Sequence, residues 1–594
     1  MKIKLSDYIW DYVSKIGVKH VFMFPGGGAM HLVDSLGNAE QLGYITLLHE
    51  QACTMAAETY SRIDHNLGVV LVTTGPGGTN TVTGVAAAWL ESTPVLVISG
   101  QAKTDDLKGD SGVRQKGNQE IGIVDIVSSI TKYSVMVTEP DMIKYHLDRA
   151  VYEAKNGRMG PVWLDIPLDV QSAMIDPEKL HGYQKEEKKD SSSKIDSQIK
   201  NIVSLLKQSR KPVVIAGQGI ERNNGKEKFR ELVEKLRIPV LTSWIGVELL
   251  EYDNKYNFGK PGMVAPRYSN FVMQGSDLII AIGTRLDPAM IGYNPDDFAP
   301  QAKKVVVDID EAEIEKHKFR IDEKVILDAT EFINLLLKEV EQQDERSEWL
   351  NQCKMWKEKY PIVLPEYYDE QDTINPYVFI DKLSDCLAEG DVIIPGSSGA
   401  CIDVYWLCFK NKSRQRTLAT GSLGSMGYGI PAAIGACMAS GKRTICVEGD
   451  GSLQLNIQEF ASIKGMNLPI KVFVLNNGGY LSIMNMQRNH FGGHFVGANQ
   501  ASNLYIPDIS GVAKSYGFCV YELEYGMNIE ETIKKVINTK GPVLCNVHMK
   551  DSIVIQPKVV SKVTENGSMV SGSLSEMWPY VEEKINIDTI ITNN

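Results

Sequence analysis

The sequence of 594 residues lacks the features that mark several large classes of protein. Its nine cysteines are scattered and include no CxxC pair, which argues against a disulfide framework and against a zinc site. No apolar run approaches the roughly 20 residues of a membrane span. No basic run is long enough for binding to nucleic acid or to an anionic membrane, and the net charge is −12. Because the start also lacks a signal-peptide core, the sequence predicts a cytoplasmic protein without nucleic-acid or membrane partners.

What the sequence contains is a regular alternation of strand-like and helical patterns. This alternation is typical of an α/β protein with doubly wound parallel sheets. Two polar stretches interrupt it, at 183–198 and at 341–372, and we interpret both as linkers, the second with a helix and a Pro-containing connector. The predicted organisation is therefore three domains of ordinary size and a tail, at 1–182, 199–340, 373–550 and 551–594.

Two polar motifs follow neighbouring strand-like runs of the predicted third domain. A GDG triplet (449–451) ends the first run, and the pair Asn476-Asn477 ends the second. Residues 452–475 between them have the length of one helical crossover between parallel strands. Both motifs should therefore lie at the carboxyl edge of one sheet, where open α/β sheets bind ligands.

These motifs carry the oxygen ligands that Mg²⁺ prefers. Asp450 and Asn477 supply two hard oxygens, and the glycine loop lets a backbone carbonyl, which we assign to Gly479, supply a third. Phosphate oxygens and water would complete an octahedron. The alternative is that each motif is only a tight turn, but the pair at this spacing favours a metal and diphosphate site.

The segment HEQACTMAAE (49–58) places a carboxyl group at the start of an alanine-rich helix. Glu50 lies where the helix dipole favours a negative charge, so it could serve only to cap the helix. The residues of this segment alone do not separate that role from a catalytic one.

Together, these motifs resemble those of the thiamine-diphosphate-dependent enzymes, in particular the acetolactate synthase family. GDG followed by NN is similar to that family's cofactor motif. The segments FMFPGGGAMHLVDSL (22–36), VTTGPGGTNTVTGVAAAWLESTPVLVISGQ (72–101) and GSLGSMGYGIPAAIGA (421–436) resemble further parts of it. The resemblance covers nearly the whole chain. It implies a pyrimidine-binding first domain, a central domain, a third domain that binds diphosphate and Mg²⁺, and a tail or lid.

The resemblance also assigns roles to individual residues. It implies that Glu50 hydrogen-bonds the aminopyrimidine ring and relays protons, a task suited to a buried carboxyl group. It implies that Gln119 lines the active-site channel and that Met426 props the coenzyme, although Met in such a turn often serves only packing. The other implied coenzyme-binding residues are Gly27, Gly28, Pro76, Asn80, Gly399, Ala400, Gly424, Gly449, Gly451 and Ser452.

The central domain of acetolactate synthases binds FAD, and this chain matches part of that pattern. Arg285 is placed to meet a phosphate group. The matching residues are Gly217, Gly219, Gly283, Arg285 and Asp308. However, GMVA (262–265) stands where acetolactate synthases carry GMHG, and other branches keep the strands but bind no flavin or a different adenine nucleotide. FAD and a purely structural domain thus remain alternatives.

Three departures from the acetolactate synthase pattern concern the substrate. Ala400 and Cys401 replace a Gln-His pair, Met486 replaces a tryptophan that shapes the acceptor pocket, and the tail from 551 resembles those of carboligases from polysaccharide-biosynthesis clusters. Because Met is more adaptable than an indole, a bulkier acceptor is expected.

We therefore expect an enzyme that decarboxylates pyruvate and transfers the two-carbon hydroxyethyl or acetyl unit to a carbonyl acceptor, with a nucleotide-linked keto-deoxy sugar as the leading candidate. The alternatives are acetolactate synthase proper, with pyruvate as donor and acceptor, and a structural homologue without catalysis. The resemblance implies a homodimer or a dimer of dimers, with the coenzyme between the first domain of one chain and the third domain of another.

Overall fold

The computed structural model describes residues 1–185, 192–397, 399–563 and 569–581. Three parallel β-sheets, each covered by helices, follow one another along the chain. The prediction of three α/β units is confirmed. None of the helices in these described ranges is long and apolar enough to span a lipid bilayer.

The first unit contains a six-stranded parallel sheet. The strands of this unit are β1 (Ile3–Lys4), β2 (His20–Met23), β3 (Gly43–Thr46), β4 (Gly68–Val72), β5 (Val95–Gln101), β6 (Tyr133–Met136), β7 (Val162–Pro167) and β8 (Met174–Ile175), of which β2 to β7 form the sheet. Its helices are α1 (Leu5–Lys15), α2 (Met30–Gly37), α3 (Glu50–Asp64), α4 (Pro76–Leu90), α5 (Ile123–Val127), α6 (Ile143–Lys155) and α7 (Leu168–Gln171). The sheet order is β3-β2-β4-β5-β7-β6, while β1 and β8 pair as a short antiparallel ribbon. The central strands β4 and β5 are buried along their whole length, as expected for a parallel sheet covered on both faces.

The middle unit has a five-stranded parallel sheet. Its strands are β9 (Pro212–Ala216), β10 (Val240–Thr242), β11 (Leu278–Ile282), β12 (Lys303–Asp308) and β13 (Glu323–Ile326), in the order β10-β9-β11-β12-β13. Its helices are α8 (Ser192–Gln208), α9 (Gly219–Arg222), α10 (Lys226–Leu236), α11 (Arg267–Gln274), α12 (Pro288–Ile291), α13 (Glu311–Glu315), α14 (Ala329–Glu339) and α15 (Ser347–Lys359). Helix α8 begins inside the first predicted linker. Helix α15 lies in the second and buries Trp349 and Trp356 in this unit's core, because these aromatic side chains have apolar surface to cover.

The third unit repeats the strand order of the first. Its strands are β14 (Val392–Pro395), β15 (Arg416–Thr417), β16 (Thr444–Gly449), β17 (Ile470–Asn476), β18 (Cys519–Leu523) and β19 (Val543–His548). Its helices are α16 (Pro376–Cys386), α17 (Asp403–Cys408), α18 (Gly429–Ser440), α19 (Asp450–Leu453), α20 (Phe460–Gly465), α21 (Leu481–His490), α22 (Ile509–Ser515) and α23 (Ile529–Asn538). The sheet order is β15-β14-β16-β17-β19-β18, so strands equivalent to those of the first unit have the same neighbours.

Helices α3 and α18 join the first and third units within one chain. Small residues let the two helices approach closely: Ala52 and Ala56 of α3 are buried, and a Cβ at Gly435 of α18 would collide with the Ala56 carbonyl oxygen. The alanine-rich sequence after Glu50 is therefore explained by this contact between helices.

The described part of the predicted tail contacts the third unit at residues 553–556 and packs on the middle unit further along the chain. It contains the short strands β20 (Lys558–Val559), β21 (Lys562–Val563), β22 (Met569–Val570) and β23 (Met577–Trp578). Leu574 and Met577 are buried in the core of the middle unit. Arg267 of α11 donates from Nη1 to the Met577 carbonyl at 2.8 Å, so backbone and apolar contacts together fix this segment.

Candidate active site

Glu50 is the first residue of α3, and its carboxylate reaches across to a second helix. Its side chain accepts a hydrogen bond from Asn80 Nδ2 of α4 at 3.0 Å, and the residue is only 6% exposed. Asn80 itself is exposed. A helix start with a buried carboxylate held by a side chain of another element suits a ligand-binding role better than a simple cap.

Gln119 contacts the residues that precede α4. Its backbone has φ +58, and its carbonyl accepts a hydrogen bond from Thr74 Oγ1 at 3.1 Å. The side chain of Gln119 is exposed. Residues 74–80, which lead into α4 and form its first turn, thus contact both residues predicted to be catalytic: Asn80 contacts Glu50, and Thr74 contacts Gln119.

The first glycine loop packs against this same helix start. Gly27 and Gly28 form a single 3-10 turn after β2. A Cβ at Gly28 would lie 2.6 Å from Thr74 Cγ2, whereas a Cβ at Gly27 would meet nothing within 4 Å. Gly28 is therefore required for packing, whereas Gly27 has open space around it; Pro76 and Asn80 of α4 are exposed.

The structure brings the three predicted metal-binding residues of the third unit into contact. Strands β16 and β17 are parallel neighbours, and Gly449 is opposite Leu475 in their register. Asp450 Oδ2 accepts a hydrogen bond from the Gly479 amide at 2.9 Å, and Asn477 Nδ2 donates to the Gly479 carbonyl at 2.8 Å. This arrangement follows from the single crossover predicted between the two motifs.

Asp450 is a buried carboxyl group in a cage of backbone amides. Burial raises its pKa to about 6, although hydrogen bonds from Gly451 and Gly479 oppose the shift. Among the described residues, no group of three or more His, Cys, Asp and Glu side chains could hold a metal ion. A metal at Asp450 would therefore depend on Asn477, backbone carbonyls and phosphate oxygens, a donor set that fits Mg²⁺.

Three loops of the third unit meet at Ser452. Its Oγ accepts a hydrogen bond from the Gly427 amide at 2.9 Å and lies 3.5 Å from Ser397 Oγ. The predicted coenzyme-binding residues on these loops are Gly399, Ala400, Gly424, Met426, Gly449 and Gly451. Gly399 and Gly424 adopt left-handed backbone conformations, with φ +66 and +64, which favour glycine.

The start of α3 also touches this region of the same chain. Asn456 Nδ2 donates to Gln51 Oε1 at 3.0 Å and to the Gly427 carbonyl at 2.8 Å. The Leu48 amide donates to Glu459 Oε1 at 2.9 Å. The two halves of the predicted site thus contact each other within one chain, and a site shared between two chains stays a prediction.

A cleft on the middle unit gathers four of the five predicted flavin-binding residues. Gly219, Gly283, Arg285 and Asp308 line it. Gly217 does not line the cleft. A Cβ there would collide with the Gly283 carbonyl oxygen, so backbone packing, and not contact with a ligand, requires glycine at 217.

The cleft contains polar groups from all three units. Its other polar and charged lining residues include Glu91, Arg158, Gln218, Arg222 and Ser422. Arg285 donates to Ser422 Oγ at 2.8 Å, and burial raises the pKa of Asp308 to about 6. The buried Gln218 Oε1 and Glu91 Oε2 have no hydrogen-bond partner. Arginines and unpartnered acceptors in one cleft fit the phosphates and polar edges of a dinucleotide.

Comparison with known proteins identifies the family. The chain matches the family models of three domains of thiamine pyrophosphate enzymes. These are the N-terminal TPP binding domain at residues 3–128, the central domain at 199–336 and the C-terminal TPP binding domain at 398–547. The chain belongs to the thiamine pyrophosphate enzymes.

Its relatives among these enzymes include acetolactate synthases. The chain is 31% identical to the acetolactate synthase large subunit of Lactococcus lactis subsp. lactis, over 94% of this chain and 96% of that protein. It is 30% identical to the chloroplastic acetolactate synthase of Arabidopsis thaliana, over 96% and 85% of the two chains. It is 31% identical to the acetolactate synthase large subunit of Buchnera aphidicola subsp. Schizaphis graminum, over 95% of this chain and 96% of that protein. The protein is an acetolactate synthase-like, thiamine-diphosphate-dependent enzyme.

Sequence reasoning missed several lining residues of this acetolactate synthase-like enzyme. Glu91 and Arg158 belong to the first unit and Ser422 to the third, and no local motif marks them as neighbours of Arg285. The contact of Arg158 Nη1 with Asp310 Oδ2 at 3.0 Å shows how the first unit meets the middle one. Such residues become visible only once the units are packed together.

Met486 lies on α21, after the asparagine pair. It is 41% exposed, whereas Met484 on the same helix is fully buried. The side chain at the position where we predict the replacement of a tryptophan is thus exposed and lies outside the buried core.

Proposed function

We propose that this enzyme uses thiamine diphosphate and Mg²⁺ to decarboxylate pyruvate and to join the two-carbon unit to a second 2-oxo acid. The observation that supports this most strongly is similarity to acetolactate synthases along almost the entire chain, with Glu50 and Asp450 in buried sites. A homologue without catalysis would have no need for a carboxyl group in both positions.

Thiamine diphosphate, when bound, supplies an electron sink for the loss of CO₂. The residues of the chain would hold and orient it. Asp450, Asn477 and the Gly479 carbonyl would bind Mg²⁺ and, through it, the diphosphate. Glu50, kept in place by Asn80, would hold and move a proton at the aminopyrimidine ring.

We also propose a functional division of the chain and its assembly. Residues 1–182 would bind the pyrimidine half of the cofactor and 373–550 the diphosphate half, with residues 199–340 between them. Two chains would form a homodimer, or a dimer of dimers, in which each coenzyme lies between the first unit of one chain and the third unit of another.

FAD is our proposed ligand for the cleft of the middle unit. Arg285 is one-third exposed, and only one of its nitrogens donates to Ser422, so the guanidinium can also meet a phosphate group. Gln218 Oε1 offers an unpartnered acceptor to the same ligand. Fluorescence of flavin released from the purified protein would test this assignment.

A second candidate acceptor is a nucleotide-linked keto-deoxy sugar. It is favoured by the exposed Met486 and by Ala400, which takes the place of a larger polar residue. Product analysis after incubation with pyruvate alone, and then with such a sugar, separates the two acceptors. We expect acetolactate from pyruvate alone. If a coupled product forms only when the sugar is present, the sugar is the acceptor in place of the second 2-oxo acid. If no product forms in either case, the carboligase function is contradicted.

Met486→Trp sharpens the choice of acceptor. The indole would fill space beside α21, and one packed side chain shifts discrimination by about 1–3 kcal/mol. The variant should therefore lower any sugar coupling more than acetolactate formation. Equal losses of both products would show that Met486 does not contact the acceptor.

A further inference from the structure

Gln119 is held in an uncommon backbone conformation by residues that lie outside the predicted site. Its φ of +58 is in the left-handed region, which non-glycine residues seldom adopt. Gly75 packs directly against it: a Cβ at Gly75 would lie 2.8 Å from the Gln119 carbonyl oxygen. A conformation of this kind persists only where the surroundings stabilise it.

The stabilising contacts begin at Thr74. Its single O–H group lies within hydrogen-bond distance of two acceptors and is shared between them: the Gln119 carbonyl at 3.1 Å and Gln101 Oε1 at 3.0 Å. Thr74 is only 4% exposed, so water does not compete for these bonds. The hydroxyl therefore links the backbone of Gln119 to a buried side chain at the end of β5.

Gln101 uses its whole amide group in the same network. Its Nε2 donates to the Ile121 carbonyl at 2.9 Å and to Asp165 Oδ2 at 2.9 Å, while its Oε1 also accepts from the Ala102 amide at 2.9 Å. These partners determine the orientation of the amide, because the reverse orientation would place an N–H group against the Ala102 N–H. Gln101 thus fixes Ile121, two residues beyond Gln119.

Asp165 anchors the network in the core of the first unit. It is fully buried, and its Oδ1 accepts a hydrogen bond from Ser99 Oγ at 2.6 Å. Trp163 Nε1 in turn donates to Ser99 Oγ at 2.8 Å. The chain of contacts therefore runs from the neighbouring strands β5 and β7 to the loop that carries Gln119.

Glu120 secures the preceding part of that loop. Its carboxylate accepts hydrogen bonds from the amides of Lys108, Lys116 and Gly117, and these bonds lower its pKa. Glu120 orders residues 108–117, whereas Thr74 and Gln101 hold residues 119–121. The two anchors act on different segments and can be separated experimentally.

We propose that Thr74 and Gln101 are positioning residues that hold the Gln119 backbone so that its exposed side chain faces the substrate. This inference rests on the proposed channel role of Gln119. It gives the segment TTGPGG (73–78) a second role beside the coenzyme contact predicted for Pro76.

The first test measures the loop itself. Thr74→Val keeps the shape of the side chain and removes the hydroxyl, Thr74→Ser keeps the hydroxyl, and Thr59→Val removes a buried hydroxyl that bonds within α3 to Met55. Amide hydrogen exchange of residues 117–123 in the holoenzyme should be roughly 10-fold faster in Thr74→Val. Thr74→Ser and Thr59→Val should match the wild type there.

The second test asks whether Thr74 acts through Gln119. With pyruvate as substrate, kcat/KM should fall roughly 10-fold in Thr74→Val and recover in Thr74→Ser. In the double variant Thr74→Val/Gln119→Ala the two losses should not multiply, since the second change removes the group that the first one misplaces. Cofactor affinity should change by less than about twofold in each variant.

The outcomes separate the inference from the proposed function. Unchanged exchange at 117–123 in Thr74→Val, or losses that multiply in the double variant, would overturn the positioning role. If exchange rises as expected while Gln119→Ala turns over pyruvate normally, the positioning of the loop stands and the proposed channel role of Gln119 is wrong.

Discussion

The first and third units share one strand order but place different chemistry at the ends of equivalent strands. In the first unit, β4 is the third strand of the six-stranded sheet along the chain and leads to Thr74, whose hydroxyl has partners within its own unit. The third strand of the third unit, β16, leads to Asp450, a buried carboxylate that accepts hydrogen bonds from the Gly451 and Gly479 amides. The same strand order therefore supports a buried hydrogen-bond network at Thr74 in the first unit and a candidate cation site at Asp450 in the third unit.

The most severe test of this difference is Asp450→Ala. Mg²⁺ demands near-ideal octahedral geometry, so removal of the one carboxylate should lower the affinity for thiamine diphosphate with Mg²⁺ by more than about 100-fold. Calorimetry measures this directly. The matched control is Asp165→Asn, which changes the buried carboxyl group of the first unit and should leave cofactor affinity near that of the wild type. Unchanged affinity in Asp450→Ala would show that the metal binds elsewhere.

Glu50→Gln tests the contribution of the first unit. The amide keeps the size of the side chain but cannot relay a proton, so turnover should fall by about 10²–10⁴-fold while cofactor affinity stays within a few-fold. Proton exchange at the thiazolium carbon of the bound cofactor, followed by NMR, should slow in parallel. Exchange at the wild-type rate would contradict the proton-relay role.

Arg285→Gln extends the comparison to the middle unit. Loss of a charge-assisted contact with a phosphate group should weaken FAD binding by about 10- to 100-fold, and cofactor binding at Asp450 should not change. Flavin fluorescence measures the first effect and calorimetry the second. Arg210→Gln, an exposed arginine of the same unit, is the control. Equal flavin affinity in both variants would place the flavin outside the cleft.

The smallest effect on cofactor binding is expected from Asp165→Asn, and this variant tests instead how the stability of the first unit depends on pH. Burial raises the pKa of Asp165 to about 7, above its ordinary value of 3.8. Its protonated form is therefore favoured by folding, and this contribution is present below about pH 4 and is lost as pH rises through about 7. The free energy of unfolding of the wild type, relative to the variant, should fall by a few kcal/mol between pH 4 and 8, at about 1.4 kcal/mol per unit of pKa difference. Denaturant titrations at several pH values measure it, and parallel curves would contradict the assignment.

Much of the third-unit site was predictable from the sequence because it depends on local connectivity. Residues 452–475 form one crossover, and parallel neighbours end at the same sheet edge, so Asp450 and Asn477 had to lie close together. The hydrogen bonds that join both residues to Gly479 agree with this reasoning. The same argument does not reach the cleft, whose walls come from three units.

The position of Glu50 shows the limit of sequence reasoning. The sequence indicated a carboxyl group at a helix start, but its partner Asn80 lies on another helix. The alanines that follow it are explained by the contact of α3 with α18, which the pattern of one helix cannot reveal. The packing of the tail on the middle unit depends likewise on Arg267 and on contacts far apart in the chain.

The α/β class, the three units and the motifs at the ends of strands could be predicted from the sequence, since periodicity and turn residues act over short distances along the chain. Three other features became visible only in the folded chain: Gly217 packs against the Gly283 backbone, Arg158 and Ser422 line the same cleft, and the Thr74 hydroxyl contacts the Gln119 carbonyl. These outcomes depend on hydrogen bonds and close approaches between segments that are distant in sequence. Their energies exist only once the sheets and helices have been brought into contact.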